Sequence, residues 1–238
     1  MGQGEPPRDI GAETAAGDDL DRLRRRLANV IGHALRTPTA TVRGQAEILA
    51  ATEDPEERAR AVAALRRTSR RLEEMVDEVL VVQGLDTRLP TASPRDLDLG
   101  AEIAEVAGEL EVVEQLEVVG DAQARAHLPP DALRWALRAV LDNAGRYGRG
   151  PVRVEVRATP DAARLRVWTP DGDVGATDDD VRLAFEPFYR GERAVTVTAT
   201  RLGLGLTAAR RVVEALGGRI DIERDEEQRI VTCLELPR

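Results

Sequence analysis

LDRLRRRLANVIGHALRTPTAT, residues 20–41, places Leu20, Leu23, Leu27, Val30, Ala34, Thr37 and Thr41 at alternating steps of three and four. Side chains at that spacing share one stripe of an α-helix, because each turn takes about 3.6 residues. The stripe predicts a helix from about Asp18 to Ala51. After an acidic break from Thr52 to Pro55 the pattern resumes as Ala61, Leu65, Thr68, Leu72, Met75, Val79 and Val82. A second helix joined by so short a loop must fold back antiparallel. One hairpin cannot cover both seams and their flanking Ile31, Leu35, Ile48 and Leu49. Two hairpins can, so the expectation is a twofold homodimer built as a four-helix bundle over residues 18–87.

Outside the hairpin the pattern changes. Residues 1–17 are polar and Gly-rich without periodicity, which suits a flexible tail. A Gly, Thr, Ser and Pro cluster between Gly84 and Pro94 marks a linker, and residues 95–238 read as a second domain. There Val152, Val154 and Val156 alternate with Arg153, Glu155 and Arg157, and Leu165 and Val167 continue the period beyond a Pro160-Asp161 turn. Residues 131–146 and 203–216 look helical, and 219–224 with 229–236 read as a closing hairpin. The fold class is α+β in two domains, the second with helices packed on one sheet face.

Composition narrows the chemistry. The formal net charge of -9 disfavours nucleic acid, whose phosphates need a basic face. All basic residues are Arg, and with no Lys the chain cannot build a P-loop. The single Cys233 cannot form an internal disulfide and reads as a buried strand residue. No apolar run is long enough to span a membrane, so no membrane segment is expected in this chain and the expected location is cytoplasmic, as the cytosolic part of, or partner to, a membrane protein.

His33 lies in Gly32-His33-Ala34-Leu35-Arg36-Thr37-Pro38, one turn before a Pro that should kink the helix. An imidazole with an unprotonated ring nitrogen can accept a phosphoryl group, and Thr37, four residues on, shares its helix face. Further along stand Asp142-Asn143-Ala144-Gly145-Arg146-Tyr147, Asp171-Gly172-Asp173-Val174-Gly175, Phe185-Glu186-Pro187-Phe188-Tyr189-Arg190 and Gly203-Leu204-Gly205-Leu206. Three of the six aromatic residues fall within 185–190. The other histidine, His127, has no comparable context and reads as structural.

In this order and spacing the five segments resemble the core of sensor histidine kinases: a phosphoacceptor hairpin followed by the Bergerat-type α/β sandwich shared with gyrase, chaperone and mismatch-repair ATPases. The resemblance implies ATP with Mg²⁺ as ligands and His33 as phosphoacceptor, with Arg36 and Thr37 beside it. It implies Asn143 as a Mg²⁺ ligand, an oxygen donor suited to a hard cation, with Arg146 on phosphate and Tyr147 along the adenine. Asp171 would accept from the adenine amino group, within a glycine turn that includes Gly175. Gly203, Leu204, Gly205 and Leu206 would open a helix whose N-terminus faces phosphate. Phosphotransfer to a response regulator receiver domain would follow.

Four positions depart from the family pattern. Ala34 stands where an acidic residue usually takes the imidazole proton, so slow autophosphorylation, faster in Ala34→Glu, is expected. Ala139 replaces an Asn near the metal, Asp173 replaces a Gly in the first glycine segment, and Arg201 replaces the Gly that opens the second. Asp173 would repel phosphate unless turned to metal or water, whereas Arg201 could pair with phosphate. These departures leave open an alternative, a catalytically weak pseudokinase or a phosphatase-leaning module that binds nucleotide and a response regulator.

Overall fold

The computed structural model describes residues 10–84, 92–110, 113, 115–121, 123–148, 150–169, 177–191 and 201–238, and side chains from Val30 onward with the exception of residue 33. The chain divides into two compact units, Met1–Leu72 and Glu73–Arg238.

The first unit is helical. Helix α1 spans Ile10–Ala51, starting eight residues before the Asp18 read from the stripe, and continues through Pro38. A proline supplies no N–H to the carbonyl four residues back, here Ala34. The surrounding turns take hydroxyl donors, Thr39 Oγ1 to the Leu35 carbonyl at 2.7 Å and Thr41 Oγ1 to the Thr37 carbonyl at 3.1 Å. Helix α2, Pro55–Gln83, opens with Pro at its first position, where no N–H is required, and with Glu56 and Glu57 in its first turn. The turn between them is closed by Arg58, whose Nη1 donates to the carbonyls of Leu49 at 3.2 Å and Thr52 at 3.1 Å. A cation of α2 thus satisfies carbonyls at the end of α1. Ala61 is buried, while Val30, Ile48 and Val62 remain exposed.

In the second unit the last turns of α2, from Glu73 on, bury Met75 and Val81. Beyond the linker come β1 (Arg95–Asp98), α3 (Leu99–Gly108), β2 (Leu116–Gly120), β3 (Arg125–Leu128), α4 (Pro130–Tyr147), β4 (Val152–Ala158) and β5 (Ala162–Trp168). Next are α5 (Asp178–Arg182), α6 (Gly205–Ala215), β6 (Arg219–Arg224) and β7 (Ile230–Pro237). The main sheet is mixed, in the order β2-β4-β5-β7-β6, with β2 parallel to β4 and the other pairs antiparallel. Strands β1 and β3 form a separate antiparallel pair, in which His127 Nδ1 lies 2.8 Å from Asp96 Oδ1 at the surface.

The period-two pattern of β4 and β5 places Val154 opposite Val167 and Val156 opposite Leu165, all fully buried. They pack with Ile103 of α3, Leu133, Leu137 and Leu141 of α4, and Val212 and Val213 of α6 in one core. The intervening strand residues carry charge. Arg164 pairs with Glu235 at 2.7 Å and Arg157 with Glu155 at 2.7 Å, so this face of the sheet is solvated while the helices cover the other.

Cys233 lies with the charged residues rather than in the apolar core. It is half-buried on β7, with Sγ 3.4 Å from Glu223 Oε1. Desolvation and the Glu223 carboxylate push its thiol up to about 11, which leaves the thiolate scarce at neutral pH.

Candidate functional site

Of the residues singled out in the second half of the chain, Asn143, Arg146 and Tyr147 lie at the C-terminal end of α4 and Gly203, Leu204, Gly205 and Leu206 at the N-terminal end of α6, and the Arg201–Asp142 ion pair joins the two. Helix α4 starts at Pro130 with Asp131 in its first turn and ends with Arg146 in its last, each favourable toward the helix dipole. One face of α4 is in the core, through Leu137, Val140, Leu141 and Ala144. That packing fixes the last turns, where Asn143 and Tyr147 are half-buried.

The same turns of α4 carry a group that the sequence did not single out. Asp142 is only 7 % exposed. Its Oδ1 is 2.7 Å from Arg146 Nη2, its Oδ2 is 3.4 Å from Arg146 Nε, and the same Oδ2 is 2.7 Å from Arg201 Nη2. The two guanidiniums expected on phosphate therefore both hold one carboxylate here. The i,i+4 spacing of Asp142 and Arg146 was a visible signal for the first pair. Arg201 comes from far along the chain and had none.

Residues 201–206 lead into α6. Leu202 and Leu204 are buried in the protein, so only their backbones can face a ligand. Gly203 has φ of +72°, and a Cβ there would stand 2.6 Å from the Tyr189 carbonyl oxygen. The Phe188 N–H donates to the Gly203 carbonyl at 3.0 Å. This glycine is thus required by the aromatic segment 185–190, not only by an approaching phosphate. Leu204, the N-cap of α6, provides no side-chain cap, so the first-turn N–H groups of Gly205 and Leu206 rely on other acceptors.

The aromatic and second glycine segments are interlocked further. The Thr207 hydroxyl donates to the Phe185 carbonyl at 3.0 Å, and the Arg210 guanidinium lies 3.7 Å from the Phe185 ring centroid. Tyr189 donates from its hydroxyl to Asp180 Oδ1 at 2.9 Å. Burial works to raise the Asp180 carboxyl, but donors from Thr177 and Tyr189 and the charge of Arg224 outweigh it and hold the group below its usual range. Burial, together with the Asp180 carboxylate, raises the Tyr189 phenol.

Asp171, Asp173 and Gly175 lie outside the described residues, so the adenine end of the site is an expectation from sequence. Ala139, on α4, packs at the edge of the core. In the first unit, His33 sits within α1, with Arg36 and Thr37 exposed beside it. Ala34 is 8 % exposed, so the position that lacks the usual acidic residue is a buried one. Among the described residues no cluster of three or more His, Cys, Asp or Glu side chains is arranged to hold a metal.

A helical segment carrying a histidine before a proline, followed by an α/β domain whose helix ends and glycine turn converge, defines a two-part phosphotransfer core as a class. The chain matches the His Kinase A (phospho-acceptor) domain over residues 23–87. Over residues 129–238 it matches the family described as histidine kinase-, DNA gyrase B-, and HSP90-like ATPase. It belongs to the histidine kinases.

Among curated relatives, the bacteriophytochrome of Pseudomonas aeruginosa is 29 % identical over 226 residues, covering 92 % of this chain and 30 % of that protein. The sensor protein kinase WalK of Staphylococcus epidermidis is 26 % identical over 226 residues, covering 92 % of this chain and 37 % of WalK. The chain thus spans about a third of the length of these relatives. The histidine kinase AdeS of Acinetobacter baumannii superposes with a TM-score of 0.58 at 20 % identity, covering 86 % of this chain and 97 % of that one. Full-length ShkA in complex with AMPPNP superposes with a TM-score of 0.56 at 23 % identity, covering 90 % of this chain and 45 % of ShkA. These superpositions concern the fold. No described helix of the present structure is long and apolar enough to cross a membrane.

Proposed function

We propose that this chain is the catalytic core of a two-component sensor kinase, which binds ATP with Mg²⁺, phosphorylates its own His33 and passes the phosphoryl group to an aspartate of a response regulator receiver domain. The observation that carries the reading is the pairing, in one chain, of a phospho-acceptor domain containing His33 with an ATPase-like domain whose α4 end and α6 start converge. Residues 18–87 form the dimerisation and phosphoacceptor domain in this reading, with α1 extending back to Ile10, and residues 95–238 form the nucleotide domain.

In the nucleotide domain Asn143 offers an amide oxygen to Mg²⁺, which supplies charge neutralisation for the phosphates when bound. The first-turn N–H groups at Gly205 and Leu206 offer donors where α6 begins with its positive dipole end. The backbones of Gly203 and Leu204 form the approach to them, Arg146 and Arg201 supply positive charge, and Tyr147 and Asp171, with Gly175, hold the adenine. In the transfer a bond forms between a His33 ring nitrogen and the γ-phosphorus as the bond to the β-phosphate oxygen breaks. ADP leaves, and the ring proton passes to solvent because Ala34 provides no base. Arg36 and Thr37, both exposed on α1, are the neighbours this reading assigns to the phosphoacceptor. Catalysis of this kind rests on positioning and charge more than on covalent help, which is compatible with the missing carboxylate.

Incubation of the chain with γ-labelled ATP and Mg²⁺ tests this. Label that is acid-labile and base-stable, and that disappears in His33→Ala, is the expected outcome. A folded protein that binds ATP and takes up no such label would overturn it.

A further inference from the structure

Resting on the reading that residues 201–206 and the end of α4 bind the phosphates of ATP, the geometry points to a role for Asp142 that neither the motif nor the family match assigns. We propose that Asp142 is a positioning residue: it holds Arg146 and Arg201 on one carboxylate and thereby makes a paired-guanidinium site for the phosphate chain of the nucleotide.

Three observations converge on this. Both oxygens of Asp142 are engaged, Oδ1 by Arg146 at 2.7 Å and Oδ2 by Arg201 at 2.7 Å. The triad is shielded, with side-chain exposures of 9 % for Asp142, 26 % for Arg146 and 20 % for Arg201. It also joins two elements of the candidate site, since Asp142 precedes Asn143 on α4 and Arg201 opens the turn into α6.

Like charges repel more strongly as water is withdrawn, so two guanidiniums would not approach each other here unaided. A carboxylate between them offsets that repulsion and fixes the direction of each planar fork. Held in this way, the two cations can meet successive phosphates without reorganising, which is the condition for strong charge-assisted bonding. The Arg at position 201 thus does more than fill the place of a glycine. It recruits Asp142 and Arg146 into a site that discriminates by phosphate count and ignores the nucleoside.

The test is a titration of the full chain and its variants with ATP, ADP and adenosine in Mg²⁺. Arg201→Met, which keeps the apolar stem, is expected to weaken ATP about tenfold or more while leaving adenosine within about twofold. Arg201→Lys should recover only part of the loss, because an ammonium cannot fork between carboxylate and phosphate. Asp142→Asn is the sharper variant. Removing a negative charge should tighten anion binding on electrostatics alone, whereas loss of positioning should weaken it.

Weaker ATP binding by Asp142→Asn and Arg201→Met, with adenosine unchanged, supports the proposal. Tighter ATP binding by Asp142→Asn, or equal loss of ATP and adenosine in both variants, overturns it. Should Asp142→Asn fail to fold, the ratio of ATP to adenosine affinity in Arg201→Met and Arg201→Lys decides. Absence of ATP binding by the unaltered chain would instead remove the reading on which the proposal stands.

Discussion

The helical first unit and the α/β second unit solve the burial problem differently. In the second, residues from three helices and several strands are fully buried together, Leu133, Leu165, Val213 and Leu236 among them. In the first, Ala34 and Ala61 are buried but Val30, Ile48 and Val62 face water. The α/β unit thus covers most of its large apolar residues itself, although Val76 and Val118 stay exposed, whereas two helices have little surface between them with which to do so. A second copy of the same hairpin is the proposed cover for the exposed residues of the first unit.

The largest expected effect tests the self-sufficiency of the second unit. Leu137→Ala removes a buried side chain from the middle of α4, and its cavity should cost about 2–5 kcal/mol. Followed by denaturant unfolding, the loss should appear in the transition of the α/β domain while the helical signal of the hairpin stays in place. A single shared transition would show that the two units do not unfold independently.

A smaller loss is expected at Ala34. The family resemblance alone makes Ala34→Glu a faster enzyme, but burial of the site changes that expectation. A carboxylate there loses water, which raises its pKa and should cost at least ~2 kcal/mol. Thermal unfolding of the variant should shift downward, with no gain in the initial rate of phospho-His33 formation. A faster, equally stable variant would mean that the position opens to solvent when the chain is at work.

The smallest effect concerns the exposed valines. Val62→Glu alters a side chain that is 37 % exposed in the single chain, so the fold of one hairpin should be indifferent to it. If that side chain faces a second hairpin, the buried charge should raise the dimer dissociation constant about tenfold or more. Sedimentation or light scattering across a dilution series would read this. An unchanged association would place the contact surface elsewhere on the hairpin.

Legibility in the sequence followed the same division. The long stripes of α1 and α2, the alternation in β4 and β5, and the closing pair β6 and β7 were readable because each repeats its period several times. Between Arg95 and Leu128 the elements are short, four or five residues per strand, and β2 mixes half-buried Leu116 and Val119 with exposed Glu117 and Val118. No period can establish itself over such lengths, and β1, α3, β2 and β3 were not resolved from sequence. The start of α1 at Ile10 was missed for a related reason, since Gly-rich polar residues carry no stripe.

At the candidate site, Asn143, Gly203 and Gly205 stood out through motif spacing. Asp142 did not, because its function depends on Arg201, which only the fold brings near. Gly203 also permits a close approach that motif spacing does not reveal, to the Tyr189 carbonyl.

The Arg58 closure of the first turn also has a consequence in time. Its bond to the Leu49 carbonyl spans nine residues of chain, whereas the Arg164–Glu235 pair on the sheet spans seventy-one. Contacts between near neighbours need little loop entropy and form early, and distant strand pairings come later. As the chain folds, the hairpin should thus be in place while β5 still awaits β7. Pulse-labelled hydrogen exchange during refolding would show amides of α1 and α2 protected ahead of those of the central strands. On the proposed dimer reading, a hairpin formed this early would be ready to meet a second copy before the α/β domain is complete.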